Sequence, residues 1–466
     1  MGNKPRFALL MLLAVLGIGL GGGTAHADGA PAGADIQVAQ TLGTRELTVI
    51  IRRVDTTPSP LRVDVVTHQG TAPGTLHLTV AADGVVTSRA DVVLGAEPGV
   101  YPGNLQVGKP GPWELALNDG TGTTATIPFL VPARVVPPWE KATYGGFVAA
   151  GAFLLVALVV GVRAKRTAFA LIPAGGAIAA IAVAVTGALL SASTPAPPAP
   201  GSQLDPTFDN VTDPYANAQL STVDYSRPPV NLAVRAERGD LRLNLTDGAT
   251  GRPVDDLLVH DNAFVHLVLV SPSGRLGHLH PVRVGPGDYR VGLADPEAGT
   301  YAVAAELVRR GGGVQLVRST VDMAGTATPV PEPLAAGPRT VDGTPVDLSI
   351  SEGTPTTITA HFRTQDLQPW LGMLGHLIVA GPIAGPDVGA AAAKAPTWAH
   401  VHAMIPPVAG QLDRPDETVA AYGPDVSFTY TFAAPGQYRI WLQAERGYRV
   451  LTVPAVVDVP ATGAGR

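Results

Sequence analysis

Two apolar runs without a single charged residue, Tyr144 to Val162 and Ala168 to Leu190, constrain this chain more than any other stretch. At 1.5 Å of rise per residue, each is about long enough to cross the roughly 30 Å hydrocarbon core of a bilayer. Arg163, Lys165 and Arg166 lie between them, and a tight basic loop faces the cytoplasm by the positive-inside rule. The first helix then enters the cytoplasm, the second returns, and both flanking regions lie outside. Pro173, Gly175, Gly176 and Ala179 in the second run permit a kink and close helix contact. An uncharged two-helix hairpin offers no transport pathway, so the pair reads as a membrane anchor.

The N-terminus agrees with this orientation. Lys4 and Arg6, the apolar run Phe7 to Leu20 and the small residues Ala25 and Ala27 make residues 1–27 a secretory signal peptide. The chain has no cysteine, so disulfides, thiolate metal sites and a cysteine nucleophile are excluded. Charged residues are 15% of the chain and the net charge is −6, which leaves no basic footprint for nucleic acid.

Outside the apolar runs, short β-branched stretches alternate with Gly, Pro and Asp. Leu47–Ile51, Leu61–Val66 and Leu76–Val80 are examples, and turn signals every 8 to 12 residues or so predict a β-sandwich over residues 36–133. Residues 191–229 open with Ser-Ala-Ser-Thr-Pro-Ala-Pro-Pro-Ala-Pro, the composition of an extended spacer. Two further β modules follow, 230–324 and 340–459. Each has a late strand opened by a turn and an aromatic, Gly299-Thr-Tyr301 and Pro435-Gly-Gln-Tyr438, and Gly111-Pro-Trp113 fits the same template in the first module. The predicted architecture is therefore all-β, with three immunoglobulin-like β-sandwich modules and a transmembrane hairpin, 144–162 and 168–190, between the first and second.

The chemistry-bearing feature is a duplicated histidine hairpin. His266-Leu-Val-Leu-Val270, the turn Ser271-Pro-Ser-Gly274 and Arg275-Leu-Gly-His278-Leu-His280 predict two strands joined by a three-residue loop, with Gly274 in the left-handed region. That register sets His266 opposite His280 and puts His278 on the same face. Opposed Cβ atoms in a sheet are roughly 4.5 to 5.5 Å apart, within reach of one ion. The unit recurs: His376-Leu-Ile-Val379 precedes a Gly/Ala/Pro-rich insertion and then His400-Val-His402. Pairing His376 with His402 centres the insertion on Gly389. His260, in the approach to the first strand, is a candidate fourth ligand. Met404 follows His402 on the same face and Met373 precedes His376, so a soft thioether favours copper, with zinc as the alternative. His361 is at best an outer partner, and His68 and His77 have a spacing that fixes no common face.

His260-Asp-Asn-Ala-Phe-Val-His266 running to Gly277-His278-Leu-His280-Pro281 resembles a motif of bacterial exported proteins. Gln368-Pro-Trp-Leu-Gly372 running to His376 and on to His400-Val-His402 resembles its companion motif. The first module, with Gly111-Pro-Trp113-Glu-Leu115 leading to a membrane helix, is similar to YtkA-like and FixH-like domains, relatives of CopC-type copper carriers. Ala403 stands where the motif has Pro, and the N-terminal ligands of CopC are absent, so that site is not carried over. The resemblance implies copper handling in the envelope, and the apolar runs and basic loop make the expected protein a non-enzymatic, membrane-anchored one with its soluble regions outside the cell membrane. The partners would be the bilayer, a metal ion and another envelope protein. The competing reading is an envelope scaffold or adhesion protein in which the histidines are incidental. No nucleophile elbow, zinc-protease helix motif or paired-acid spacing points to an enzyme.

Overall fold

The computed structural model describes residues 35–54, 56–120, 122–131, 136–164, 166–193, 227–237, 239–405 and 416–461. The expected signal peptide and most of the expected spacer lie outside these residues. In the first module, Ile36–Leu42, Arg45–Ile51, Ser59–Thr67 and Gly99–Val107 form one antiparallel sheet in that spatial order. Val85–Leu94, Gly74–Ala82, Gly111–Asn118 and Thr124–Val131 form the other. The period of two in Gly74–Ala82 turns Leu76, Leu78 and Val80 into the core, where Val49, Val63 and Ile127 meet them. Trp113 is buried in the same core and its indole N–H donates to the Lys109 carbonyl at 3.0 Å.

The apolar runs form two helices, Pro138–Arg163 and Leu171–Leu190, joined by a short turn. The first begins six residues before Tyr144, with proline in its first turn, where no backbone donor is needed. A Cβ on Gly146 would come within 2.8 Å of the Ala180 carbonyl, and one on Gly187 within 2.7 Å of the Thr143 hydroxyl. Glycine at these two positions thus sets the close approach of the helices. Leucine, isoleucine and valine side chains cover the remaining surface, and each helix is long and apolar enough to cross a membrane.

The second and third modules repeat one plan. Each pairs a four-stranded sheet with a five-stranded sheet. In the second module the five-stranded sheet is built on Gly299–Arg309, flanked by Val265–Val270 with Leu276–Leu279 beyond it, and by Gly313–Met323 on the other side. In the third, Gly436–Arg446 is flanked by Met373–Gly381 with Thr397–Met404 beyond it, and by Arg449–Val459.

Both central strands of each five-stranded sheet are apolar on both faces. Leu267, Leu269, Val303 and Ala305 point into the second module's own core, and Leu377, Val379, Ile440 and Leu442 into that of the third. The alternate residues Val268, Val270, Ala302, Ala304, Ile378, Ala380 and Trp441 form a separate apolar cluster in which the outer faces of the two sheets pack together. This is why the strands read as continuous hydrophobic runs: they are covered twice. The insertion between the histidine strands is part of the contact. Val388–Ala393 forms a short helix started by Asp387, whose side chain accepts from the Ala390 N–H. It docks on the turn of the first histidine hairpin, with the Val388 N–H donating to the Pro272 carbonyl at 2.9 Å.

The first module closes the assembly. The Arg283 guanidinium binds Asp255 in its own module and reaches Glu114 and Thr126 of the first. Ala39, Ala263, Trp370 and Leu371, one or two from each module, meet in a small buried cluster where all three modules touch.

Candidate metal centre

The first histidine hairpin has the predicted geometry. Leu267 pairs with Leu279 and Val270 with Leu276, and the Ser271 N–H donates to the Arg275 carbonyl, leaving Pro272, Ser273 and Gly274 as the loop. Gly274 has φ 92°, the conformation that closes such a loop with a bulge. Continuing this register sets His266 opposite His280. The second hairpin pairs His376 with His402 directly.

These histidines do not line a solvated outer face. The face that carries them is the one through which the two five-stranded sheets pack, so the rings of both modules meet at the end of the apolar contact. His266, His280 and His376 are at most 1% exposed. Ring centroids run from His280 to His266 (5.4 Å) and His278 (5.2 Å), on to His400 (4.9 Å from His278), and then to His376 (5.3 Å) and His402 (4.5 Å). The Trp370 indole stands edge-on to this row, 4.9 Å from both His278 and His376.

Nearly every ring is held from outside by an acceptor. His266 Nε2–H donates to the His260 carbonyl at 3.0 Å, His278 Nδ1–H to Gln443 Oε1 at 2.9 Å, His280 Nδ1–H to Glu46 Oε1 at 2.6 Å and His376 Nε2–H to the Trp370 carbonyl at 3.3 Å. His402 Nδ1 lies 3.2 Å from Asp261 Oδ2 and His400 Nδ1 3.4 Å from Glu306 Oε2. An acceptor on one ring nitrogen fixes the proton there and leaves the lone pair on the other. Those other nitrogens, His266 Nδ1 and the Nε2 atoms of His278, His280 and His402, are buried and have no hydrogen-bond partner among the described residues, and nor has His400 Nδ1. His376 Nδ1 and His400 Nε2 face one another at 3.1 Å. Buried imidazole lone pairs without donors are costly for a protein at rest, and the arrangement is that of metal ligands oriented by outer partners.

Electrostatics keep four of the rings in the ligand form. Burial, reinforced by repulsion among the neighbouring rings, pushes His266, His278 and His376 well below the ordinary histidine value. Burial and His400 bring His402 down to about 4. Burial works to raise the Glu306 carboxyl, but the neighbouring His260 and His400 rings outweigh it and hold the group below the usual carboxylate range.

Among the described residues, two sets of three nitrogens lie within 4.8 Å of one another and can hold an ion: His266, His278 and His400, and His376, His400 and His402. The second is the set expected from one hairpin. The first differs from the expected His266, His278 and His280, because His400 crosses from the third module to stand between the hairpins. His280 lies one ring further out. His260 closes the outer layer, with Nε2 3.1 Å from Asp261 and 3.6 Å from Glu306. Met404 is 65% exposed at its strand end, past an irregular register between Met373 and Gly375, so its thioether faces solvent instead of the buried rings. His77 and His361 are exposed and pair with Asp91 and Asp425. His68 is buried at the contact between the first and third modules, with Nδ1 2.6 Å from Glu445.

Sequence reasoning missed Glu46, Glu306, Trp370 and Gln443. A signal existed for two of them: Glu306 and Gln443 interrupt strands that are otherwise apolar on both faces, Ala302–Val308 and Ile440–Ala444.

Likeness to solved structures is slight. A four-repeat stretch of the extending region of a large adhesion protein aligns at 11% identity over 92% of this chain and 75% of that one, with a TM-score of 0.15. An alpha-2-macroglobulin from Salmonella aligns at 11% over 93% and 24%, with a TM-score of 0.18. Latent PorU from Porphyromonas gingivalis aligns at 10% over 92% and 34%, with a TM-score of 0.15. The chain thus spans about a quarter and a third of the last two. No curated protein matches it significantly. Residues 339–461, the third module with His376, His400 and His402, match a family model described as a domain of unknown function, DUF8832.

Proposed function

We propose that this chain is a membrane-anchored, extracytoplasmic copper-binding protein that carries or buffers the ion in the envelope without catalysing a reaction. The observation that carries the reading is the row of buried imidazoles, in which His266, His278 and His280 each have one nitrogen held by an acceptor and the other buried without a partner among the described residues. A site made only of imidazole binds Cu(II) more tightly than Zn(II) along the Irving–Williams order, and the resemblance to CopC-related immunoglobulin-like domains points to the same metal. The two long apolar helices support the anchor, and the basic loop between them supports an orientation with both soluble regions outside the cytoplasm.

The site also predicts what part of the chain is needed. Because His400 belongs to both nitrogen sets, the second module alone offers only His266 and His278 to the first of them. Isothermal titration of the full chain in detergent should show Cu(II) binding that outcompetes Zn(II). Cu(II) should also quench tryptophan fluorescence, since Trp370 lies against the rings. No uptake at micromolar ion, with fluorescence unchanged, rejects the metal reading and leaves an interaction scaffold.

A further inference from the structure

His280 is tied to the first module more firmly than to its own hairpin partner. Its backbone N–H donates to Thr41 Oγ1 at 2.8 Å, its carbonyl accepts from the Thr41 N–H at 2.7 Å, and its ring Nδ1 is 2.6 Å from Glu46 Oε1. Thr41 and Glu46 are register partners on adjacent strands of the first module. The Thr41 hydroxyl donates to the second Glu46 oxygen at 2.6 Å, so the carboxylate is fixed at both ends. The imidazole is fully buried, its Nε2 has no partner among the described residues, and the rings nearest it are His278 and His266, at centroid distances of 5.2 and 5.4 Å.

Resting on the metal reading above, we propose that the first module completes the metal centre. Glu46 is a positioning residue that locks the His280 tautomer and leaves Nε2 as the free nitrogen of a ring whose centroid is 5.4 Å from that of His266 and 5.2 Å from that of His278. His280, one ring outside the set of His266, His278 and His400, is thus held ready to join them when an ion binds. A consequence follows from linkage. If the first module in its docked position strengthens metal binding, bound metal must strengthen docking by the same factor. The contact at Thr41 is then a reporter of occupancy in the module that leads directly into the membrane helices, and no large rearrangement is needed.

The test is a double-mutant cycle on the full chain in detergent, with Zn(II) and Cu(II) affinities measured by competition with a chromogenic chelator. Glu46→Ala should weaken binding by about 10–100-fold. Glu46→Gln, which keeps an acceptor and loses the charge, should recover part of that loss. In a His280→Ala background, Glu46→Ala should have no further effect, because the ring it positions is gone. Independently of any variant, amide exchange at Thr41 in the parent protein should slow on adding Zn(II). Unchanged affinity in Glu46→Ala, an equal loss in the His280→Ala background, or exchange at Thr41 that ignores the ion would each overturn the proposal and leave the metal centre standing. A parent protein that takes up no ion removes the reading on which it rests.

Discussion

His400 decides more than any other residue, because it is the one ring common to both nitrogen sets. Its Nε2 faces His376 Nδ1, and its other nitrogen lies near Glu306 of the second module. Replacing it removes a ligand from each set at once, whereas replacing His402 leaves His266, His278 and His400 intact. We therefore expect His400→Ala to abolish tight metal binding and His402→Ala to leave one competent set, as read by binding stoichiometry in a chelator competition. Equal losses in the two variants would show that the sets do not act as the geometry divides them. The shared face of the three histidines in each hairpin was legible from strand alternation and turn chemistry, which are local properties. Their convergence was not. It depends on how two sheets pack through faces far apart in sequence, and nothing in a hairpin says what covers its outer side. Met404 shows the opposite failure. Alternation put it beside His402, but the irregular register between Met373 and Gly375 ends the regular ladder before it, and the side chain emerges into solvent.

At the scale of elements, the insertion from Pro382 to Pro396 is the least expected part. Its Gly, Ala and Pro content reads as a longer loop, yet residues Val388–Ala393 make a helix that works as a clasp. A short alanine-rich helix has little stability alone, and this one is held by what it touches. Arg318 donates to the Ala395 carbonyl at 2.6 Å, the Trp398 indole N–H donates to the Ala392 carbonyl at 2.9 Å, and Val388 packs on Gly274. Small residues let it lie flat on the second module. A Cβ on Gly389 would stand 2.2 Å from the Thr300 carbonyl and 3.0 Å from that of Val270, both rigid strand backbone. Gly389→Val should therefore lift the clasp and cost about 1–3 kcal/mol, the usual penalty for forcing volume into a packed site. Chemical denaturation should show the loss, with faster proteolysis near Lys394. Stability equal to the parent would mean that the helix contributes nothing to the contact.

At the scale of the molecule, two groups of buried histidines respond to pH in opposite senses. The metal-site rings His266, His278, His376 and His402 have values depressed below the ordinary 6.5. The stability they contribute is present above 6.5 and is lost as acid drives protons onto the unfolded chain and then onto the folded one. His68, at the contact of the first and third modules, behaves in the reverse way. Burial disfavours its charge, but Glu445, Glu417 and Glu46 surround it and raise it to about 9. Its contribution is therefore complete below 6.5 and disappears as pH rises through about 9. Glu417 acts in the same direction, since burial raises it to about 7 against the attraction of His68. Four depressed rings outweigh this one carboxyl on the acid side, and His68 governs the alkaline side. The metal-free chain should thus be most stable near pH 6.5 to 7, with calorimetric midpoints falling towards pH 5 and again towards pH 9.5. His68→Gln should flatten the alkaline limb alone, because the metal-site rings are already neutral there. A midpoint that climbs steadily to pH 9.5, or an alkaline limb untouched by His68→Gln, would mean that the ion pair to Glu445 does not hold the first module in place.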